Sequence, residues 1–207
     1  MKYLLLTLAI AALAVPAFGQ EGNNTTVKIF MHFTEDASPT VATDNATVVN
    51  EIATPTAFTT YRGYVGLTDL TTGFTVVSFR LTNATVDCPG VFAPPSFVNL
   101  MPGNLAIGDP FDATGVTIAS TECLTAPFQM IGYASLFYLG GACAIDILDH
   151  ADYPRWVVDC QEPGVVNYYC VWLNGGFGTT ANAGDAMCEA NTPVEDATWG
   201  AVKALYR

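Results

Sequence analysis

The sequence is poor in charge, and above all in basic charge. Its 207 residues include 7 Lys and Arg against 19 Asp and Glu, which gives a formal net charge of -12, and only 13% of the residues are charged. An ordinary soluble domain has about a quarter. A nucleic-acid-binding role is excluded, because contacts to phosphates need clustered Lys and Arg. Intrinsic disorder is excluded too, since 51% of the residues are hydrophobic and 12% are aromatic.

Histidine is scarce, and the usual catalytic and metal-binding motifs are missing. The chain has 2 His and 6 Cys, and no C-x-x-C pair, so a zinc site is not expected. No G-x-S-x-G motif provides a serine nucleophile. The glycine-rich stretch at 175–178 is followed by no basic residue, unlike a phosphate-binding loop. We therefore expect no enzyme, no catalytic residue, no cofactor and no metal ion.

Long apolar runs are absent beyond the N-terminus. Lys2 is followed by an uncharged run from Leu4 to Val15 and by Ala17-Phe18-Gly19. A basic residue, a short apolar run and a small-x-small ending are typical of a bacterial secretory signal peptide, with cleavage after Gly19. We expect residues 1–19 to be removed and the rest to be secreted or held at the cell surface, without spanning the membrane.

Six cysteines follow the predicted cleavage point: Cys88, Cys123, Cys143, Cys160, Cys170 and Cys188. In an exported chain an even number predicts up to three disulfides, whose connectivity the spacing leaves open. Cys160 and Cys170 flank the turn signal Glu162-Pro163-Gly164, which favours a bond between them across a hairpin. Bonds from Cys88 to Cys123 and from Cys143 to Cys188 would complete the set.

Short β-prone runs separated by Pro and Gly fill most of the chain, as is typical of a sandwich or barrel. A strand is predicted at 27–33, and the runs at 63–67 and 74–81 read as a strand pair joined by 68–73. In the second run we expect Val77, Phe79 and Leu81 to face inward, opposite Ser78 and Arg80. The run at 128–139 is apolar on both faces and suits a central strand. Residues 174–178 read as a flexible turn.

One helix is predicted, at the C-terminus. Thr192-Pro193-Val194-Glu195 forms a capping box, and apolar residues then recur at helical spacing. The expected fold is therefore an all-β, antiparallel β-sandwich, immunoglobulin-like or jelly-roll-like, with a short C-terminal α-helix over 191–207. An N-terminal strand and Thr-rich segment at 20–56 precede the disulfide-containing sandwich at 57–190.

Three groups of residues are candidates for binding or modification. Asp146, Asp149, Asp152 and His150 form the densest acidic cluster, which fits a cation site or, more simply, a solvated rim. Six aromatic residues could stack on sugar rings or pack in the core; they are Tyr61, Tyr64, Trp156, Tyr168, Tyr169 and Trp172. Four N-x-T sequons are candidate glycosylation sites, at Asn23, Asn24, Asn45 and Asn83.

Two stretches carry a resemblance. Cys188 through Arg207 resembles the close of secreted proteins in environmental bacterial genomes, and the stretch from Tyr64 to Leu81 looks like the opening of their cohesin-like or immunoglobulin-like sandwich. The similarity covers about half of the chain. It implies a secreted β-sandwich and carries over no functional residues.

These observations predict a secreted or cell-surface structural protein that associates with copies of itself or with other surface proteins. The strand at 27–33 lies near the mature N-terminus and could complete a neighbour's sheet in an extracellular filament, or it could pair within its own domain. The second hypothesis is a glycan-binding module, with or without calcium. The third is a secreted hydrolase, which would need two carboxylates in a cleft.

Overall fold

The computed structural model describes residues 26–82, 87–88, 90–92, 97–103, 105–161, 164–178, 184–185 and 188. The predicted signal peptide, the sequons at Asn23, Asn24 and Asn83, and the predicted C-terminal helix lie outside these residues. Besides the short 3-10 helix Asn45–Thr47, the described residues form these strands: β1 (Lys28–Glu35), β2 (Glu51–Ile52), β3 (Thr59–Thr68), β4 (Phe74–Leu81), β5 (Val91–Phe92), β6 (Phe97–Asn99), β7 (Leu105–Asp109), β8 (Gly115–Leu124), β9 (Phe128–Tyr138), β10 (Cys143–Ile145), β11 (Ile147–Leu148), β12 (Trp156–Asp159), β13 (Val166–Tyr168), β14 (Cys170–Leu173) and β15 (Gly175–Phe177).

The strands form two large sheets and one small sheet. The first sheet has the order β14-β1-β3-β9-β5, with β6 also paired to β9, and the second has the order β13-β12-β4-β8-β7, with β11 also paired to β4. The small sheet has the order β10-β15-β2. Most pairs are antiparallel, whereas β1 with β14 and β15 with β2 are parallel. The predicted all-β sandwich is confirmed.

The core lies between the two large sheets and follows the alternation of each strand. Ile29 and Met31 of β1 and Val65 of β3 contribute from the first sheet, and Val77 and Phe79 of β4 from the second. These side chains are all fully or almost fully buried. The inward positions predicted for β4 are therefore confirmed, and its alternate residues lie on the outer face of the second sheet.

The predicted pairing of the runs at 63–67 and 74–81 is wrong. β3 pairs with β1 and β9 in the first sheet, whereas β4 pairs with β8, β11 and β12 in the second. The connection over 69–73 thus passes from one sheet to the other, and it turns with positive φ at Asp69 and Gly73. Alternation alone does not distinguish such a crossing from a hairpin, because both strands bury one face in either case.

His32 does not lie at the surface, because the Thr-rich segment covers the outer face of the first sheet. Its Nε2 lies 2.8 Å from the carbonyl oxygen of Thr40, and its Nδ1 accepts a hydrogen bond from the backbone N–H of Val49 at 2.9 Å. Below this segment Phe30 and Tyr64 belong to a second, smaller hydrophobic cluster. Both faces of the first sheet are therefore packed.

Three disulfides are present, with pairings that differ from those proposed from the sequence. They join Cys88 to Cys143, Cys123 to Cys160 and Cys170 to Cys188, with Cα atoms 5.3, 5.6 and 5.6 Å apart.

A bond between Cys160 and Cys170 is excluded by the register of the β12–β13 hairpin. Trp156 pairs with Tyr168 and Val158 with Val166. Cys160 therefore lies at the closed end of the hairpin, and Cys170 lies beyond its open end. Cys123 and Cys160 instead join β8 and β12, the two strands on either side of β4, where a Cβ at Gly73 would lie 2.9 Å from the sulfur of Cys123.

The stretch at 174–178, predicted to be a flexible turn, contains a paired strand. Gly175–Phe177 forms β15, which pairs with both β10 and β2 and is buried along its length. The glycines permit close packing, since a Cβ at Gly175 would lie 2.1 Å from the ring of Phe33. The composition that indicated a loop is here the composition of a tightly packed strand.

Candidate functional site

The outer face of the second sheet carries a row of side chains that no second layer covers completely. Cross-strand pairing places Thr117 beside Ile107 and beside Ser78, and Trp156 beside Tyr168. The register of β4 with β12 places Ser78 next to Trp156. Aromatic rings at one end, hydroxyls in the middle and an aliphatic side chain at the other end therefore share one face.

A cavity of about 540 Å³ opens on this face, and we call it the outer cavity. Its floor is formed by β4, β8 and β12, and one wall is formed by the loop at 149–155. The described lining residues are Val76, Ser78, Ile107, Gly108, Thr114, Gly115, Thr117, His150, Asp152, Tyr153, Trp156 and Val158. Ligand clefts commonly enclose about 300–1,000 Å³, so the outer cavity has the size of a small-molecule site.

The wall of the outer cavity is a stack of three rings. The rings of His150 and Tyr153 have centroids 5.3 Å apart, and those of Tyr153 and Trp156 have centroids 4.9 Å apart. The rings of Tyr153 and Trp156 are tilted by 42° to each other, and Tyr153 is 42% exposed, so part of its ring is accessible for contact. Such rings offer flat apolar faces at a low entropic cost.

A hydrogen-bonded loop holds this stack in place. The Nδ1 of His150 accepts hydrogen bonds from the backbone N–H groups of Asp152 and Tyr153, at 3.1 and 3.2 Å. The N–H of Ala151 donates to the carbonyl of Thr114 at 2.9 Å. A Cβ at Gly115, where φ is +95°, would lie 3.1 Å from Cδ2 of His150. The stronger requirement for glycine comes from its positive φ and from the backbone oxygen of Phe79, which would lie 2.6 Å from that Cβ.

Two hydroxyls form the polar part of the floor. The Oγ of Ser78 and the Oγ1 of Thr117 lie 2.9 Å apart and share a hydrogen bond. Each hydroxyl can donate one bond and accept two, so this pair retains acceptor capacity. Ser78 is nonetheless buried, and the hydroxyls lie at the bottom of the cavity rather than at its rim.

The outer cavity carries little charge. Asp152 is the one charged residue among its described lining residues, and the whole chain has a net charge of -12. The site therefore offers no cation to an acidic ligand. Its described lining contains one carboxylate, whereas glycoside hydrolysis ordinarily uses two.

The predicted acidic cluster is divided between two sites. His150 and Asp152 line the outer cavity, whereas Asp146 and Asp149 line a separate polar pocket. In that pocket Arg155 forms ion pairs with Asp149, at 2.7 Å, and with Asp185. Among the described residues no group of three or more His, Cys, Asp or Glu is arranged to hold a metal ion. The guanidinium of Arg155 pairs with the carboxylates of Asp149 and Asp185 through charge-assisted hydrogen bonds.

The six aromatic candidates have different surroundings. Tyr61, Tyr64 and Tyr169 are buried, and Trp172 packs against the smaller hydrophobic cluster. Trp156 and Tyr168 point outward on the second sheet, where Tyr168 is 62% exposed. Tyr153 was not among the aromatic residues singled out from the sequence, because it lies in a loop without hydrophobic periodicity. Its position in the sequence between His150 and Trp156 was the one local signal that could have identified it.

The edge strand β7 presents a second candidate surface. In the described part of the chain β7 pairs with β8 alone. Leu105 and Ile107 are 52% and 66% exposed, and Asp109 at its end is its one charged residue. Edge strands are usually protected by charge, proline or a bulge, so an apolar edge of this kind is suited to pairing.

Among the sequons Asn45 is described, and its side chain is exposed in the 3-10 helix Asn45–Thr47. Glycosylation there remains a prediction. No helix in the described ranges has the length and apolar character that a membrane crossing needs. No family model, curated protein or solved structure matches the chain.

Proposed function

We propose that this chain is an extracellular binding protein that holds a neutral glycan in the outer cavity. The stack of Tyr153 and Trp156 beside the hydroxyls of Ser78 and Thr117 is the observation that carries the proposal. The three disulfides support an extracellular location.

The chemistry of a sugar ring matches this arrangement. One face of a pyranose presents C–H groups that pack on aromatic rings, and its edge presents hydroxyls that donate and accept hydrogen bonds. In the outer cavity, Tyr153 and Trp156 supply the aromatic faces, while Ser78, Thr117 and Asp152 supply hydrogen-bonding groups. A predominantly apolar cleft with a few polar groups is the usual form of a ligand site.

The test is a glycan array, followed by calorimetric titration of the hits. We expect the folded protein to bind one or more neutral oligosaccharides, and Trp156→Ala to weaken binding at least about tenfold, because a central aromatic contact commonly contributes 2 kcal/mol or more. Tyr153→Ala provides a second variant if the first one is unstable. A matched control is Phe58→Ala, since Phe58 is 75% exposed and lies outside the cavity lining. Binding unaffected by both cavity variants, or no binding at all, would refute the proposal.

Assembly by strand addition is the second candidate function, and the apolar edge of β7 favours it. β1 pairs with β3 on one side and with β14 on the other, so both of its edges are used within its own domain. Among the described strands β7 pairs with β8 alone, Leu105 and Ile107 are exposed, and the carbonyl of Leu105 accepts a bond from the side chain of Asn99 at 3.4 Å. A copy or another surface protein could add a strand there.

Oligomerisation across a concentration series tests this candidate. We expect the wild type to self-associate in size-exclusion chromatography and Leu105→Lys to remain monomeric, because a charge on an apolar edge opposes pairing. Leu105 lies outside the lining of the outer cavity, so glycan binding should survive in this variant. A wild type that stays monomeric at every concentration, with no polymer by negative-stain microscopy, would remove the assembly function.

A further inference from the structure

His150 is almost completely buried and yet lines the outer cavity. The residue is 4% exposed, and one of its ring nitrogens already accepts hydrogen bonds within the protein. Nδ1 accepts hydrogen bonds from two backbone N–H groups, those of Asp152 and Tyr153. Backbone N–H groups can only donate, so Nδ1 carries its lone pair and the proton of the neutral ring lies on Nε2.

The Nε2–H group has no hydrogen-bond partner among the described residues. Nε2 is also not fully buried. In the described ranges, the one fully buried side-chain nitrogen or oxygen without a hydrogen-bond partner is the Nε of Arg80. Nε2 therefore keeps some exposure, and the outer cavity is the described cavity that His150 lines. A buried ring with one satisfied nitrogen and one free donor is a preorganised hydrogen-bonding group.

We propose, building on the glycan-binding function above, that His150 determines the specificity of the outer cavity by donating its Nε2–H to an oxygen of an uncharged sugar stacked on Tyr153 and Trp156. The donor stays in a fixed direction because the loop holds the opposite nitrogen. A ligand without an acceptor oxygen at that position would leave a desolvated N–H unpaired, and a site of this kind rejects such ligands.

The charge of the surroundings narrows the ligand class to neutral sugars. Burial lowers the pKa of His150, while the nearby Asp152 opposes that shift. The ring therefore stays neutral near pH 7 and brings no positive charge. Asp152 is the charged group among the described lining residues, so the carboxylate of a uronic or sialic acid, or a sulfate, would meet repulsion.

Two substitutions separate the donor from the structural role of the ring. In His150→Asn the amide oxygen takes the place of Nδ1 and keeps the bonds from Asp152 and Tyr153, but the Nε2–H donor is lost. In His150→Gln the amide NH2 takes the place of Nε2, and the acceptor for the loop is lost. We expect His150→Asn to bind the best neutral glycan about 3- to 10-fold more weakly at near-normal stability, and His150→Gln to lose stability while retaining more affinity per folded molecule.

The protonated nitrogen can be identified without any ligand. Two-bond 1H–15N correlation spectra of the free protein distinguish Nε2–H from Nδ1–H in His150. We expect the Nε2–H form, and addition of the neutral glycan should shift the Nε2 resonance while leaving Nδ1 nearly unchanged. An Nδ1–H form overturns this inference whether or not a glycan is found.

The outcomes distinguish this inference from the function on which it rests. If Trp156→Ala abolishes binding and His150→Asn binds as well as the wild type, the cavity binds glycans and the role of His150 is wrong. If acidic glycans bind as tightly as matched neutral ones, the assignment to neutral sugars is wrong. If no glycan binds to the folded wild type, both proposals are wrong.

Discussion

The hydroxyl of Tyr169 donates a hydrogen bond to the backbone carbonyl of Ser78, 3.0 Å away and 91 residues earlier in the chain. Tyr169 lies between β13 of the second sheet and β14 of the first. Its bond therefore fixes the crossing of the chain between the two sheets to β4, one of the three strands that form the floor of the outer cavity. Burial raises the pKa of Tyr169 above its ordinary value, so the phenol is protonated and donates at neutral pH.

Tyr169→Phe should lower the free energy of unfolding by about 1–3 kcal/mol, because it leaves the buried carbonyl of Ser78 without this partner. Urea unfolding followed by fluorescence measures the loss. The neighbouring Tyr168 is 62% exposed, and Tyr168→Phe is the matched control, with an expected change within about 0.5 kcal/mol. Equal stability of the two variants would mean that the Tyr169 bond contributes nothing.

His32 should make the protein less stable in mild acid. Burial lowers the pKa of His32 below its ordinary value of 6.5, against the effect of the bond to Thr40. The unfolded chain therefore takes up a proton near pH 6.5, and the folded chain does so only at lower pH. This contribution to stability is complete above about pH 6.5 and is lost as the pH falls from there through the pKa of the folded protein.

The measurement is the free energy of unfolding at pH 7.5 and at pH 5. We expect a lower value at pH 5, and a smaller difference between the two in His32→Asn, whose amide oxygen can still accept from Val49 but does not titrate. His150 has a lowered pKa as well, so part of the pH dependence should remain. An unchanged pH dependence in His32→Asn would contradict the prediction.

Asp159 should be essential to the turn that follows β12. Its carboxylate accepts hydrogen bonds from the backbone N–H groups of Gln161 and Val165 and from the side chain of Gln161, at 3.1, 2.9 and 2.8 Å. Burial alone would raise its pKa, but these bonds outweigh burial and lower it. Asp159→Asn should lower the free energy of unfolding by about 1–3 kcal/mol at pH 7, since an amide NH2 replaces one acceptor.

Asp112→Asn, at an exposed turn, is the control and should change the free energy of unfolding by less than about 0.5 kcal/mol. A similar loss of stability in both variants would contradict the role of Asp159.

The three disulfides should differ modestly in their contribution to stability. Their sequence separations are 55, 37 and 18 residues, for Cys88–Cys143, Cys123–Cys160 and Cys170–Cys188. Loop-closure entropy then predicts losses of about 4, 4 and 3 kcal/mol when each pair is changed to serine. Urea unfolding of the three double variants gives the order. A greater loss at the shortest loop would indicate that contacts of Asp185, which accepts from the N–H of Val171 at 3.0 Å, matter more than chain entropy.

Local pattern was sufficient to predict the type of the main elements. The alternation in β4 predicted Val77, Phe79 and Leu81 inside and Ser78 outside, because side chains on a strand alternate between its faces. The apolar character of β9 on both faces predicted a central strand, and β9 lies between β3 on one side and β5 and β6 on the other. These features depend on residues close together in sequence.

Contacts between segments far apart in the sequence could not be predicted from local pattern. The link at 69–73 has the composition of a hairpin turn but passes between sheets. The pairing of Cys123 with Cys160 depends on β8 and β12 both lying beside β4, and the burial of His32 depends on a segment that folds back over the sheet. The outer cavity could not be predicted for the same reason. The loop that carries Tyr153 has no hydrophobic periodicity, and its position depends on contacts with Thr114 and Gly115.

The parallel pairing of β1 with β14 has a consequence for the order of assembly. Lys28 aligns with Cys170 and Ile29 with Val171. The first strand of the domain therefore completes its pairing only when β14, nearly the last described strand, is in place. A ribosome makes the chain from its N-terminus, and one edge of β1 therefore stays unpaired until almost the whole domain has been synthesised. Such late, long-range closure slows folding and leaves an open strand edge in the incomplete chain. The nascent protein thus passes through a stage in which a strand from elsewhere can occupy the place of β14, although the finished fold offers no such vacancy at β1.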